Sequence, residues 1–191
     1  MRALAVGLVV LNHAGVPWLS GGYIGVDVFF VISGYLITAQ LASSDKSGFA
    51  LLGNFYHRRI RRLFPAIAIV SAVTAVIAYL IMTPSQLRPL FSSFTSTQVF
   101  LQNIYLWQNS GYWDQSLETS PLMHTWSLAV EEQFYLIFPL LFVAKSMRNA
   151  KSVLVGVAIT IFVLSFLGAL TRFGTSSTGA FFLLPYRAWE L

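Results

Sequence analysis

Cysteine is absent from the 191 residues, which excludes disulfide cross-links, thiolate metal sites and a cysteine nucleophile. Charge is scarce as well. Lys, Arg, Asp and Glu together make up 10% of the chain while 56% is hydrophobic, against about 25% charged residues in an ordinary globular protein. A sequence this poor in charge cannot cover a water-facing surface, so the expected class is an all-α integral membrane protein built of spanning helices. The net charge of +5 comes with no basic stripe interleaved with exposed polar residues, which removes nucleic acid as a partner and leaves the lipid bilayer. There is no internal repeat and no disordered linker. No small-x-small cleavage site closes the apolar run after Met1 and Arg2, and a second apolar segment follows at once, so the start reads as a helix rather than a removable leader.

What is present is a series of apolar segments. Residues 3–16, 23–41, 65–82, 126–144 and 153–170 read as five complete spans, and a sixth begins near Ala180 and is still running at Leu191. The first is short against the ~20 residues that a crossing needs. Pro65 suits the first turn of the third. In the second, Ser33 and Gly34 form a small pair that lets a neighbouring helix approach closely. Between Thr83 and Met123 polar residues interrupt the apolar ones, and Tyr105, Trp107, Tyr112 and Trp113 appear, so residues 87–107 read as an interfacial or re-entrant segment. The stretches around Arg58 to Arg62 and Lys145 to Lys151 gather most of the twelve Lys and Arg. The positive-inside rule places both, and the N-terminus, in the cytoplasm, giving a multi-pass protein of the cell (inner, cytoplasmic) membrane.

Against this apolar background a few ionisable groups stand out, because a titrating side chain inside a span marks a functional site by default. Arg2 and His13 lie on the first segment, about 16 Å apart along a helix axis. His13 can act as general base or carry a group itself, and is the expected chemical centre. Arg58, Arg59, Arg61 and Arg62 form an all-arginine cluster before the third span. A headgroup-facing charge collar would explain the cations, but the planar guanidinium also grips phosphate bidentately, so a phosphate-rich donor is the other reading. In HTWSLAVEEQFYLIFP, Glu131 and Glu132 enter apolar depth with His124 at the mouth, the bland alternative being a capping relationship of Ser127 and Glu131. Asp27 has similar standing, with a helix cap as its alternative.

The runs RALAVGLVVLNHAG, GGYIGVDVFFVISGYLIT, FYHRRIRRLFPA, HTWSLAVEEQFYLIFP and FFLLPYRAWEL, in this order, resemble the acyltransferase-3 family of integral membrane acyltransferases. They are most similar to the branch that O-acetylates cell-surface polysaccharides and often carries an SGNH-type domain. The resemblance implies that residues 1–191 are the N-terminal part of a membrane domain of about ten helices, and that members usually have a few more residues ahead of Arg2. It implies no permanently bound cofactor, with acetyl-CoA or another acyl-CoA as donor substrate and a glycan or lipid-linked sugar as acceptor. His13, with Arg2, matches the family's catalytic Arg-x10-His motif, Arg2 being expected to stabilise developing negative charge. The arginines at 58, 59, 61 and 62 match the stretch thought to meet the donor. Glu131 joins the catalytic candidates, while Asp27 and His124 are placed along the acceptor path. A proton-coupled transporter and a non-catalytic membrane scaffold are the rival classes that the residues alone leave open.

Overall fold

The computed structural model describes residues 1–109, 120–146, 150–172 and 177–191, and among the described residues there is no strand. Helix α1 (Arg2–His13) leads through a 3-10 turn (Gly22–Ile24) into α2 (Gly25–Ala42), followed by α3 (Gly48–Ile81), α4 (Pro84–Gln98) and α5 (Gln102–Asn109). Next come α6 (Thr125–Ile137), which continues as a 3-10 helix (Phe138–Ser146), then α7 (Ala150–Arg172), α8 (Ser177–Phe182), α9 (Leu184–Arg187) and a last 3-10 turn (Ala188–Glu190). The expected all-α membrane bundle is what the chain forms.

Four described segments are long and apolar enough to cross a bilayer: Gly22–Ala42, Gly48–Ile81, Thr125–Val143 and Lys151–Thr171. They coincide with the second to fifth expected spans. Helix α1, at 12 residues, stays shorter than a crossing. The expected sixth span is broken at Leu183 into α8 and α9, where Pro185 supplies no amide hydrogen to continue a ladder. The expected interfacial segment is a helix pair, α4 and α5, joined at an elbow. Tyr112, Trp113 and Arg148 lie outside the described residues, and of Lys145 only the backbone is described.

The largest departure concerns α3. It begins at Gly48 and runs straight through Pro65, so the arginines ride on a helix instead of occupying a loop before one. At 34 residues it is about 51 Å long, some 20 Å more than a ~30 Å hydrocarbon layer. The surplus turns are the ones that carry the arginines.

Helix α6 is the centre of the packing. It contributes Phe134 and Tyr135 to a core shared with Ile37, Leu41, Leu51 and Phe55. It contributes Trp126 and Val130 to a second core with Phe30, Leu106 and Phe182. Pro139 ends its α-helical pattern. In the 3-10 arrangement that follows, the Leu136 carbonyl would look to residue 139, which has no N–H, and the Tyr56 hydroxyl of α3 donates to that carbonyl at 2.7 Å instead.

Close backbone approach sets the position of α1. A Cβ added at Gly22 would lie 2.5 Å from the Leu8 carbonyl oxygen, and one at Gly25 2.4 Å from that of Ala5. Gly25→Ala is therefore expected to push α1 off α2 and cost about 1–3 kcal/mol of stability. Gly7→Ala, whose Cβ would meet nothing within 4 Å, serves as the neutral control in the same thermal unfolding series.

Candidate functional site

Three consecutive polar residues of α6 reach three different parts of the bundle, because successive helical positions are about 100° apart. Glu131, 3% exposed, accepts from Arg2 of α1 at 3.3 Å and from the Tyr135 hydroxyl at 2.5 Å. Arg2 also donates to the Tyr135 oxygen at 3.1 Å. Glu132 accepts from Arg59 of α3, whose Nε lies 2.8 Å from both carboxylate oxygens and whose Nη2 makes a further close contact with Oε1. The Arg59 guanidinium also lies 3.6 Å from the centre of the Tyr135 ring and within 4.0 Å of Glu131. The result is a charge-balanced network of two arginines, two carboxylates and a tyrosine at the junction of α1, α3 and α6.

Gln133 completes the set with neutral groups. Its amide donates to the Phe100 carbonyl and to Asn103 Oδ1, both at 2.8 Å. Asn103 donates back to Gln133 Oε1 at 3.3 Å and to the Phe182 carbonyl at 3.1 Å. This closed amide pair holds the α4–α5 elbow, where Phe100 adopts a left-handed φ of 55°, a conformation that a bulky residue keeps only when its surroundings impose it. Between α3, this elbow and α6 lies a cavity of about 340 Å³, lined in part by Arg59, Glu132, Leu63 and Leu136.

The four arginines divide. Arg59 turns inward to Glu132, whereas Arg58, Arg61 and Arg62 are exposed and have no acidic partner among the described residues. Helical phase puts those three on the face opposite Tyr56, Ile60 and Leu63, with Arg61 about 60° from Phe64 at the edge of the cavity face. The spacings 58/61 and 58/62 make them one ridge.

His13 stands at the other end of α1 from Arg2. The side chain is exposed, and its Nδ1 lies 2.8 Å from the Val9 carbonyl oxygen. A carbonyl only accepts, so in the neutral ring Nδ1 carries the proton and Nε2 keeps its lone pair facing outward. Arg2 and His13 stand at opposite ends of α1, and the Arg2 guanidinium is engaged by Glu131 and Tyr135.

Asp27 and His124 lie elsewhere again. Asp27 accepts from Arg187 Nη1 at 2.7 Å, and the same nitrogen donates to Glu190 at 2.8 Å. This second ionic cluster ties α2 to the segment after α8, 160 residues along the chain. His124 stands just ahead of α6, and desolvation of its ring holds the imidazole below its ordinary 6.5 against the raising effect of a hydrogen bond with the Pro121 backbone. The capping reading of Ser127 and Glu131 is not what forms, since Ser127 bonds the His124 carbonyl and Glu131 faces Arg2.

Sequence reasoning missed Tyr135, Gln133 and Asn103. Tyr135 lies one turn after Glu131, a spacing that could have flagged it. Asn103 and Gln133 sit on separate helices, and no local signal joins them.

A family model described as an acyltransferase domain matches residues 1–188. The peptidoglycan O-acetyltransferase OatA of Listeria monocytogenes is 41% identical over 158 residues, which is 81% of this chain and 25% of that protein. The O-acetyltransferase OatA of Staphylococcus aureus is 42% identical over 142 residues, 73% of this chain and 23% of that protein. The chain thus spans about a quarter of the length of these curated relatives. No solved structure matches it.

Proposed function

Because the chain belongs to the acyltransferase-3 family of integral membrane acyltransferases, we propose that the protein containing it O-acetylates a glycan of the cell envelope. In this reading the donor is acetyl-CoA, reaching the protein from the cytoplasmic side. The observation that carries it is His13, whose Nδ1–H is tied to Val9 so that Nε2 is left as a base. The acceptor hydroxyl oxygen attacks the thioester carbonyl, a C–O bond forms as the C–S bond breaks, and His13 Nε2 takes the hydroxyl proton and returns it to the departing thiolate. The Listeria relative, a peptidoglycan O-acetyltransferase, supports a wall glycan as acceptor. An SGNH-type domain further along the protein would complete delivery to that acceptor.

Arg58, Arg61 and Arg62 suit the donor's phosphates, because they are exposed, without an acidic partner among the described residues, and on one face. Arg59 is instead turned inward, held by Glu132. The test is transfer of label from acetyl-CoA to glycan in membranes carrying the full-length protein. The Arg58→Ala, Arg61→Ala double variant is expected to raise KM for acetyl-CoA at least tenfold, in line with the loss of about 1.5–3 kcal/mol per charged hydrogen bond, with kcat nearly unchanged. Absence of label transfer by the wild type would refute the donor assignment.

A further inference from the structure

We propose that the cavity between α3, the Phe100 elbow and α6 holds the amide-bearing aliphatic arm of the thioester donor. The assignment rests on the donor reading above and adds to it a site. The first argument is the inventory of hydrogen-bonding capacity around the cavity. Both amide hydrogens of Gln133 are engaged, by Phe100 and Asn103. The Tyr56 proton goes to the Leu136 carbonyl and the Tyr135 proton to Glu131. What remains is acceptor capacity, on Glu132, Gln133 Oε1 and the Phe100 carbonyl, together with a donor group, Nη1 of Arg59, that has no partner among the described residues.

The rest of the lining is apolar, including Ile60, Leu63, Phe64, Leu101 and Leu136. A ligand matching both features carries methylenes for the apolar wall, N–H groups for the spare acceptors and a carbonyl for Arg59. A chain of methylenes interrupted by secondary amides has that composition. A sugar would set its hydroxyls against the apolar walls, and a plain hydrocarbon tail would leave the lone pairs of Glu132 and Phe100 dry.

The second argument is position. The cavity lies beside the arginine ridge, with Arg61 and Phe64 adjoining on one flank of α3 and the rim residues Ile60 and Phe64 exposed at 63% and 61%. A donor anchored by its phosphates on the ridge meets the cavity mouth around that flank. The volume of about 340 Å³ is far more than an acetyl group fills and lies within the range of ligand pockets.

The experiment uses the full-length protein in proteoliposomes and three acetyl donors: acetyl-CoA, S-acetyl-pantetheine, which lacks the nucleotide and phosphates, and ethyl thioacetate, which lacks the amides. Leu101→Trp and Ile60→Trp narrow the cavity from its exposed rim. Each is expected to raise KM at least tenfold for both acetyl-CoA and S-acetyl-pantetheine with kcat within twofold, while the ridge variant Arg58→Ala, Arg61→Ala raises KM for acetyl-CoA alone. In a Leu101→Cys variant, S-methyl-pantetheine, whose blocked sulfur cannot consume the reagent, is expected to slow alkylation by N-ethylmaleimide at least fivefold, a readout that does not depend on the tryptophan variants folding. Unchanged KM in both tryptophan variants, equal kcat/KM for ethyl thioacetate and S-acetyl-pantetheine, or no protection by S-methyl-pantetheine would overturn the assignment while leaving acetyl-CoA as donor. A wild type that turns over neither acetyl-CoA nor S-acetyl-pantetheine would overturn both the donor reading and this site.

Discussion

Replacing Glu131 by leucine is expected to destabilise the protein by roughly 3–5 kcal/mol, the range found when one partner of a buried ion pair is removed. The carboxylate is 3% exposed and satisfies groups from two helices. Without it Arg2 of α1 loses its counter-ion and the Tyr135 proton loses its acceptor. Tyr135, 1% exposed, has no water to turn to, while Arg2 is only part-buried. Glu131→Gln keeps an oxygen for the Tyr135 hydroxyl and is expected to cost less, so the difference between the two variants isolates the charge. Thermal unfolding in a fixed detergent reads both. A Glu131→Leu protein within about 0.5 kcal/mol of the wild type would show that the network is incidental to the fold.

The second large effect is on chemistry. His13→Ala is expected to lower glycan acetylation about 10²–10⁴-fold, the usual contribution of a positioned general base. Its folded-state stability should stay within about 0.5 kcal/mol of the wild type, because the side chain is exposed and its one bond is to the Val9 carbonyl of its own helix. The combination separates the two ends of α1. Loss at Arg2 acts through packing and stability, and loss at His13 acts through turnover. Equal loss of turnover and of unfolding temperature in His13→Ala would assign His13 to the fold and move the reaction centre elsewhere.

Much of this was legible in the sequence and some was not, for physical reasons. Apolar runs of near-spanning length located α2, α6 and α7, because length and hydropathy are properties of contiguous residues. The start of α3 was misplaced because Pro65 reads as a helix beginning, yet a proline inside a helix costs a hydrogen bond that surrounding packing can absorb. The arginine cluster was legible as a cluster. Its division into one inward and three outward guanidiniums was not, since that depends on where Glu132 arrives from 73 residues away. Arg2–Glu131 and Asp27–Arg187, separated by 129 and 160 residues, are pairings that no spacing rule reaches. His13 was found because a histidine in an apolar run is conspicuous, while the tautomer that makes it a base came only from the Val9 contact.

The run Glu131, Glu132 and Gln133 also constrains how this chain can change length. One inserted residue between Trp126 and Val130 would rotate the three side chains by about 100° and lift them by 1.5 Å. Glu131 would then face Arg59, Glu132 would be set against the amide of Asn103, and Gln133 would enter the apolar core that Phe134 occupies. Loops can absorb insertions and deletions; this stretch cannot without losing all three pairings together. The phase of α6 is therefore a stricter requirement on the protein than the identity of any single residue on it.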